Sequence, residues 1–232
     1  MSTVVGVVCF PGTNCEHDVA QAVTSLGAEA RIVFHRERSL KGVDAVVIPG
    51  GFAHGDYLRP GAIARFSPVM EAISEFAKSG GPIVGVCNGF QVLTEAGLLP
   101  GALVRNVGLR FLCRVVECEV ASTHSVLTGS AAMGAVLSLP INHYEGRFVC
   151  DDATLAELEA CGRVVLRYLE NPNGSMNAIA GIANEVGNVV GVMPHPERAS
   201  DPLGVGTDGT VLFASLIAAV TPRRGAVTAV AG

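Results

Sequence analysis

The 232-residue chain contains no tryptophan, and aromatic residues make up only 5% of it. Its core must therefore come from Val, Ala, Leu and Ile. Positive charge is also scarce: 16 Lys and Arg stand against 21 Asp and Glu, for a net charge of −5. A protein held to nucleic acid by phosphate contacts needs a basic stripe, so nucleic acid is excluded as a partner. No apolar run reaches the roughly 18 residues of a membrane span without a charge or turn signal, so no membrane contact is expected. The opening Met-Ser-Thr-Val-Val-Gly lacks the basic stretch of a secretory signal, which points to the cytoplasm. In that setting Asn173-Gly174-Ser175 matches a glycosylation acceptor only by chance. The 7 cysteines include no C-x-x-C pair, which removes zinc ribbons and thioredoxin motifs. Most of them read as reduced, small hydrophobes. The 28 glycines and 12 prolines follow no period, so collagen-like and low-complexity readings fail.

What is present is a chain 49% hydrophobic and long enough to bury a core without disulfides or metal. Val4 to Phe10 is a continuous apolar run, as in a parallel strand buried on both faces. Asn14 then reads as the cap of a helix with Val19, Val23 and Leu26 on one face, stopped by Gly27. Ala30–Phe34 and Asp44–Ile48 are further strands. Ser67-Pro68 opens a helix with Val69, Ile73, Phe76 and Ala77 inward. Pro82–Val86 is a strand and Asn88–Ala96 a helix. This alternation predicts an α/β fold of three layers around a mostly parallel sheet. From Leu103 to Val149 the strands Phe111–Val120 and Ala135–Leu139 have no helix between them, which predicts a small antiparallel extension. A short helix (Leu155–Ala160), two strands (Val164–Leu169, Val189–Met193) and a closing helix (Thr210–Val220) follow. One domain over 1–220 is expected, with 221–232 a disordered tail.

Gly85-Val86-Cys87-Asn88-Gly89 lies where a strand meets a helix. This G-x-C-x-G has the layout of a nucleophile elbow, a sharp turn that projects its central side chain over the sheet end. The positive end of the following helix favours a thiolate there. A cysteine nucleophile needs a base, which can be remote in sequence. His195 follows an apolar strand, is stiffened by Pro194 and Pro196, and has Glu197 two residues on to fix its tautomer. Gly50-Gly51 follows the third strand without the Lys-Ser/Thr of a phosphate loop. Backbone N–H groups of Gly51 and Asn88 would converge there as an oxyanion hole. His54 and Asp56 lack a further ligand cluster and read as surface residues; His17 and His35 read as structural or exposed. No metal site is expected.

The elbow with Gln91 after it, the Gly-Gly loop and the His-x-Glu together resemble the class I, triad-type glutamine amidotransferases. Four longer strings are more specific: Phe10–Glu16, Gly50–Pro68, Gly85–Leu103 and Met193–Asp201. They resemble the glutaminase subunits of phosphoribosylformylglycinamidine synthases, over about residues 4–220. The resemblance implies a flavodoxin-like amidotransferase fold. It also implies that Cys87, His195 and Glu197 release ammonia from glutamine, with Gly50, Gln91 and His143 at the substrate. It implies a large synthetase partner carrying ATP and magnesium, a small third subunit, and no cofactor in this chain. Tyr144 stands where that family pattern has a small residue, often Gly. Alternatives are a glutaminase for another acceptor, a cysteine hydrolase of similar fold, or a regulatory module on an inactivated glutaminase. The last is disfavoured because all three triad residues are present. Cys15 is singled out because its loop, in one of the specific strings, is expected near the site.

Overall fold

The computed structural model describes residues 2–220 with their side chains, and the backbone of 221–228. Nine strands form one sheet in the order β2-β1-β3-β4-β11-β10-β9-β6-β7. Its parallel half is β2 (Glu29–Phe34), β1 (Val4–Cys9), β3 (Ala45–Ile48), β4 (Ile83–Val86) and β11 (Val189–Val192). In β3, β4 and β11 every residue is buried, which is why the apolar runs show no alternation. Helices α1 (Glu16–Ser25) and α5 (Thr210–Thr228) touch each other over one face of the sheet. Helices α2 (Pro68–Lys78) and α3 (Asn88–Glu95) follow β3 and β4, and α3 packs on β3, β4 and β11.

The antiparallel half is β10 (Ile179–Ala183), β9 (Val164–Tyr168), β6 (Leu112–Val120) and β7 (Val136–His143). It extends the same sheet rather than forming a separate layer. β7 is the edge, and its burial alternates as a half-exposed strand does. It runs four residues past the expected end at Leu139, through Pro140, which an edge strand tolerates because one side needs no ladder N–H. β10 carries no sequence signal, being Ile-Ala-Gly-Ile-Ala with a register shift at Gly181. Two three-residue strands, β5 (Ala102–Val104) and β8 (Arg147–Val149), pair as a small second sheet. Helix α4 (Asp152–Ala160) is capped by Asp151, whose carboxylate accepts from Thr154 N at 2.9 Å. α1 starts from Cys15 and not through an Asn14 side-chain cap: the Asn14 and Cys15 N–H groups donate to the Gly50 carbonyl, at 3.1 and 3.2 Å. The backbone of α5 runs on to Thr228; the tail expected over 221–232 otherwise lies outside the described residues.

The strand order 2-1-3-4 reverses direction between β1 and β3, and such sheets open a crevice at the carboxyl ends of the strands beside that point. Four segments reach it: Pro11–Thr13 after β1, Gly50–Gly51 after β3, Cys87 after β4 and His195 after β11. The tightest approach is between α3 and β3, where a Cβ on Gly89 would lie 1.9 Å from the Ile48 carbonyl oxygen. Gly89→Ala should therefore cost about 3 kcal/mol or more, at the upper end of overpacking penalties. Urea denaturation should show a lowered midpoint with a near-constant m-value; an unchanged midpoint would mean that the helix does not press on β3.

Candidate functional site

Cys87 has φ 51° and ψ −103°, a left-handed backbone that an L-residue adopts at a cost of order 1–3 kcal/mol. Its N–H donates to Val192 O at 2.8 Å and its carbonyl accepts from Phe90 and Gln91, so β11 and α3 hold the turn from both sides. The thiol is 5% exposed and donates to Asn142 O at 3.7 Å, which ties it to the end of β7. Asn88 opens α3, so its N–H has no acceptor within the helix. Gly51 has φ 148°, and a Cβ there would lie 2.7 Å from Gly12 O and Asn14 N. Both N–H groups thus sit where only a tight backbone fits, next to Cys87.

His195 enters a short helical turn, Pro196–Ala199, and its own N–H donates to Pro140 O at 2.8 Å. Its Nδ1 lies 2.6 Å from Glu197 Oε1, with the Glu197 side chain 0% exposed. That contact fixes the proton on Nδ1 and leaves Nε2, which is buried without a partner among the described residues. Burial opposes charge on this ring, yet the Glu197 carboxylate and the Cys87 sulphur together hold its pKa well above the usual histidine value. An imidazole that favours its protonated form is equipped to take a proton from a neighbouring thiol.

A cavity of about 200 Å³ opens on Cys87, lined also by Gly51, Phe52, Asp56, Gln91, Asn142, His143, Tyr144 and Glu145. It is smaller than the about 300–1,000 Å³ of sites for drug-sized ligands, which suits a small substrate. Of two larger depressions, one of about 540 Å³ lies against Glu197 and Arg198 and one of about 550 Å³ lies beside Arg65 and Glu95; Cys87 lines neither. The residues expected at a substrate divide. Gln91 lines the cavity, but its amide is engaged: Nε2 donates to Glu145 O at 2.6 Å and Oε1 accepts from Asn88 Nδ2 at 2.8 Å. His143 lines it with both ring nitrogens unpartnered. Burial and the charge on His195 lower its pKa to about 4, so it is neutral at physiological pH. Gly50 is placed beneath His195 instead, since a Cβ there would lie 2.6 Å from His195 Cε1; the structure gives it a packing position and not a lining one.

Two residues depart from their sequence reading. Asp56 is not a surface bystander: it lines the cavity, and burial raises its pKa to about 6. His54 is half-buried, 3.2 Å from Ser67 Oγ and edge-on to His35. Cys15 lies at the site, as its loop was expected to, 4.0 Å from His195 Nδ1 and 3.2 Å from an Arg198 guanidinium nitrogen. Nothing in the sequence pairs Cys15 with Arg198, which are 183 positions apart. Donor atoms of Cys15, His195 and Glu197 lie within 4.8 Å of one another, a spacing a metal could use. The Arg198 cation already against the sulphur and the carboxylate already on Nδ1 make this donor set a poor host for a cation. No helix among the described residues is long and apolar enough to cross a membrane.

Replacing Glu197 with Gln removes the carboxylate that outweighs burial, so the His195 pKa should fall. The folded value stands above the unfolded one near 6.5, so the pair's stabilisation is full below that pH and fades as pH rises through the folded value. A ¹⁵N titration of the His195 ring in Cys87→Ser and in Cys87→Ser/Glu197→Gln should show the drop; equal titration midpoints would refute the pairing.

Residues 2–204 match the family model of the CobB/CobQ-like glutamine amidotransferase domain. The PurQ subunit of phosphoribosylformylglycinamidine synthase from Rubrobacter xylanophilus is 58% identical over 214 residues, covering 92% of this chain and 97% of that one. The PurQ subunit of Koribacter versatilis is 51% identical over 229 residues, covering 94% and 99%. Among solved structures, a chain in PurLQS from Thermotoga maritima superposes with a TM-score of 0.89 at 39% identity, covering 95% of this chain and all of that one. With the elbow, the buried His–Glu pair and the cavity in place, the sequence and the fold agree: the chain belongs to the CobB/CobQ-like glutamine amidotransferase family, beside the PurQ subunits of phosphoribosylformylglycinamidine synthase.

Proposed function

We propose that this chain is the glutaminase subunit of a phosphoribosylformylglycinamidine synthase, and that Cys87, His195 and Glu197 carry out the hydrolysis. The observation that carries the reading is the free, buried Nε2 of a histidine locked by Glu197 beside a cysteine on a strained elbow. His195 Nε2 takes the Cys87 proton, and the sulphur attacks the side-chain amide carbon of glutamine. The amide oxygen gains negative charge and is received by the N–H groups of Gly51 and Asn88, each such donor being worth a few kcal/mol. Collapse of the tetrahedral adduct breaks the C–N bond, with His195 returning its proton to the leaving nitrogen. Water, deprotonated by the same ring, then attacks the thioester and releases glutamate. Neutral His143 in the cavity wall contacts the substrate without adding charge.

The ammonia passes to a large synthetase subunit, which converts formylglycinamide ribonucleotide to the amidine with ATP in purine biosynthesis. ATP and magnesium belong to that subunit, and a small third subunit completes the assembly. The relatives' names support this acceptor over others. The reading places the chain in the cytoplasm, where its cysteines stay reduced.

The test is Cys87→Ser in the assembled complex. Glutamine-dependent synthesis should fall by at least about 10³-fold, as for other nucleophile deletions, while synthesis from added ammonium salt is unchanged. Residual glutamine hydrolysis near the wild-type rate would assign the chemistry to another residue.

A further inference from the structure

The cavity beside Cys87 contains two carboxylates and no lysine or arginine among its lining residues. Asp56 and Glu145 both line it; burial and then the charge of Glu145 raise the Asp56 pKa, while the Glu145 carboxylate is itself paired with Arg105, Oε1 lying 3.4 Å from Nε. Asp56 Oδ1 accepts from Asn88 Nδ2 at 3.1 Å, and among the described residues no donor reaches its Oδ2. Asn88 also binds Gln91 Oε1 at 2.8 Å, and its Oδ1 accepts from Ala53 N at 2.9 Å. One side chain at the elbow therefore fixes where the Asp56 carboxylate stands relative to the nucleophile.

A part-buried carboxylate with an open oxygen, set at a fixed reach from the reacting sulphur, is built for a cation on the substrate. In glutamine that cation is the α-ammonium. Glu145 is paired with Arg105, which leaves Asp56 as the lining carboxylate without a cationic partner among the described residues. We infer that Asp56, held by Asn88, binds the α-ammonium of glutamine and is a specificity-determining residue of the reaction. This rests on the glutaminase reading above and adds what the site reads on the substrate. Asp56 then selects an α-amino acid amide over a simple amide of the same length.

The probe is glutaramate, which is glutamine without its α-amino group. Amide hydrolysis is measured for both substrates in the complex with its synthetase, for the wild type and Asp56→Asn. Asn keeps the acceptor for Asn88, so the wall stays in place. The assignment expects kcat/KM for glutamine to fall about 10- to 100-fold, mainly through KM, as for loss of one charge-assisted hydrogen bond. It expects kcat/KM for glutaramate to stay the same, so that discrimination collapses. Equal losses on both substrates, or no loss on either, would overturn it. A wild-type complex that hydrolyses no glutamine would overturn the glutaminase reading itself, whereas active hydrolysis with discrimination unchanged in Asp56→Asn overturns this assignment alone.

Discussion

The site depends on how closely the start of α3 approaches the end of β3. A hydrogen is all that fits between Gly89 and the Ile48 carbonyl. That approach leaves the chain no gentle path from β4 into α3, so the turn is made at one residue, Cys87, with φ 51°. The strain is repaid by the parallel sheet, whose β3, β4 and β11 are buried throughout and pair in unbroken register. The same approach brings the Gly50–Gly51 loop beside the helix N-terminus. The sharp turn at Cys87 and the nearness of the Gly51 backbone to it are thus consequences of one packing contact.

A second layer of polar bonds sets the cavity. Asn88 joins the loop after β3, through Ala53 and Asp56, to Gln91, and Gln91 reaches across to the Glu145 carbonyl. Three separate chain segments are held by two side-chain amides three positions apart on one helical turn. On the far side, Arg198 bonds Cys15 and Asp18, which fixes the turn carrying His195 and Glu197 against α1. The histidine is positioned from behind by charge and from below by a glycine, leaving one nitrogen to act.

Local patterns in the sequence carried the parallel half and the His195–Glu197 pair. The uninterrupted runs of β1, β3, β4 and β11 reflect burial on two faces, and the elbow motif states its own geometry because only glycine fits its flanks. The His-x-Glu spacing suffices for the 2.6 Å contact because both residues sit in one short turn. What was not legible depends on distant partners. β10 is a strand because β9 and β11 flank it, not because Ile-Ala-Gly-Ile-Ala favours extension. Pro140 reads as a strand terminator until β7 is seen to be an edge. Asp56 reads as a surface acid because nothing nearby in the chain shows that Asn88 and Glu145 enclose it.

The strained elbow, in the proposed reading, makes Cys87 the covalent nucleophile toward glutamine. Trapping the intermediate tests it most directly. The complex is given isotopically labelled glutamine, quenched in acid during turnover, digested and analysed by mass spectrometry. The account predicts a labelled glutamyl group on the peptide containing Cys87, joined by a thioester that hydroxylamine removes, and none in Cys87→Ser. Label on a different cysteine, such as Cys15, or turnover that leaves no label on any cysteine, would contradict it.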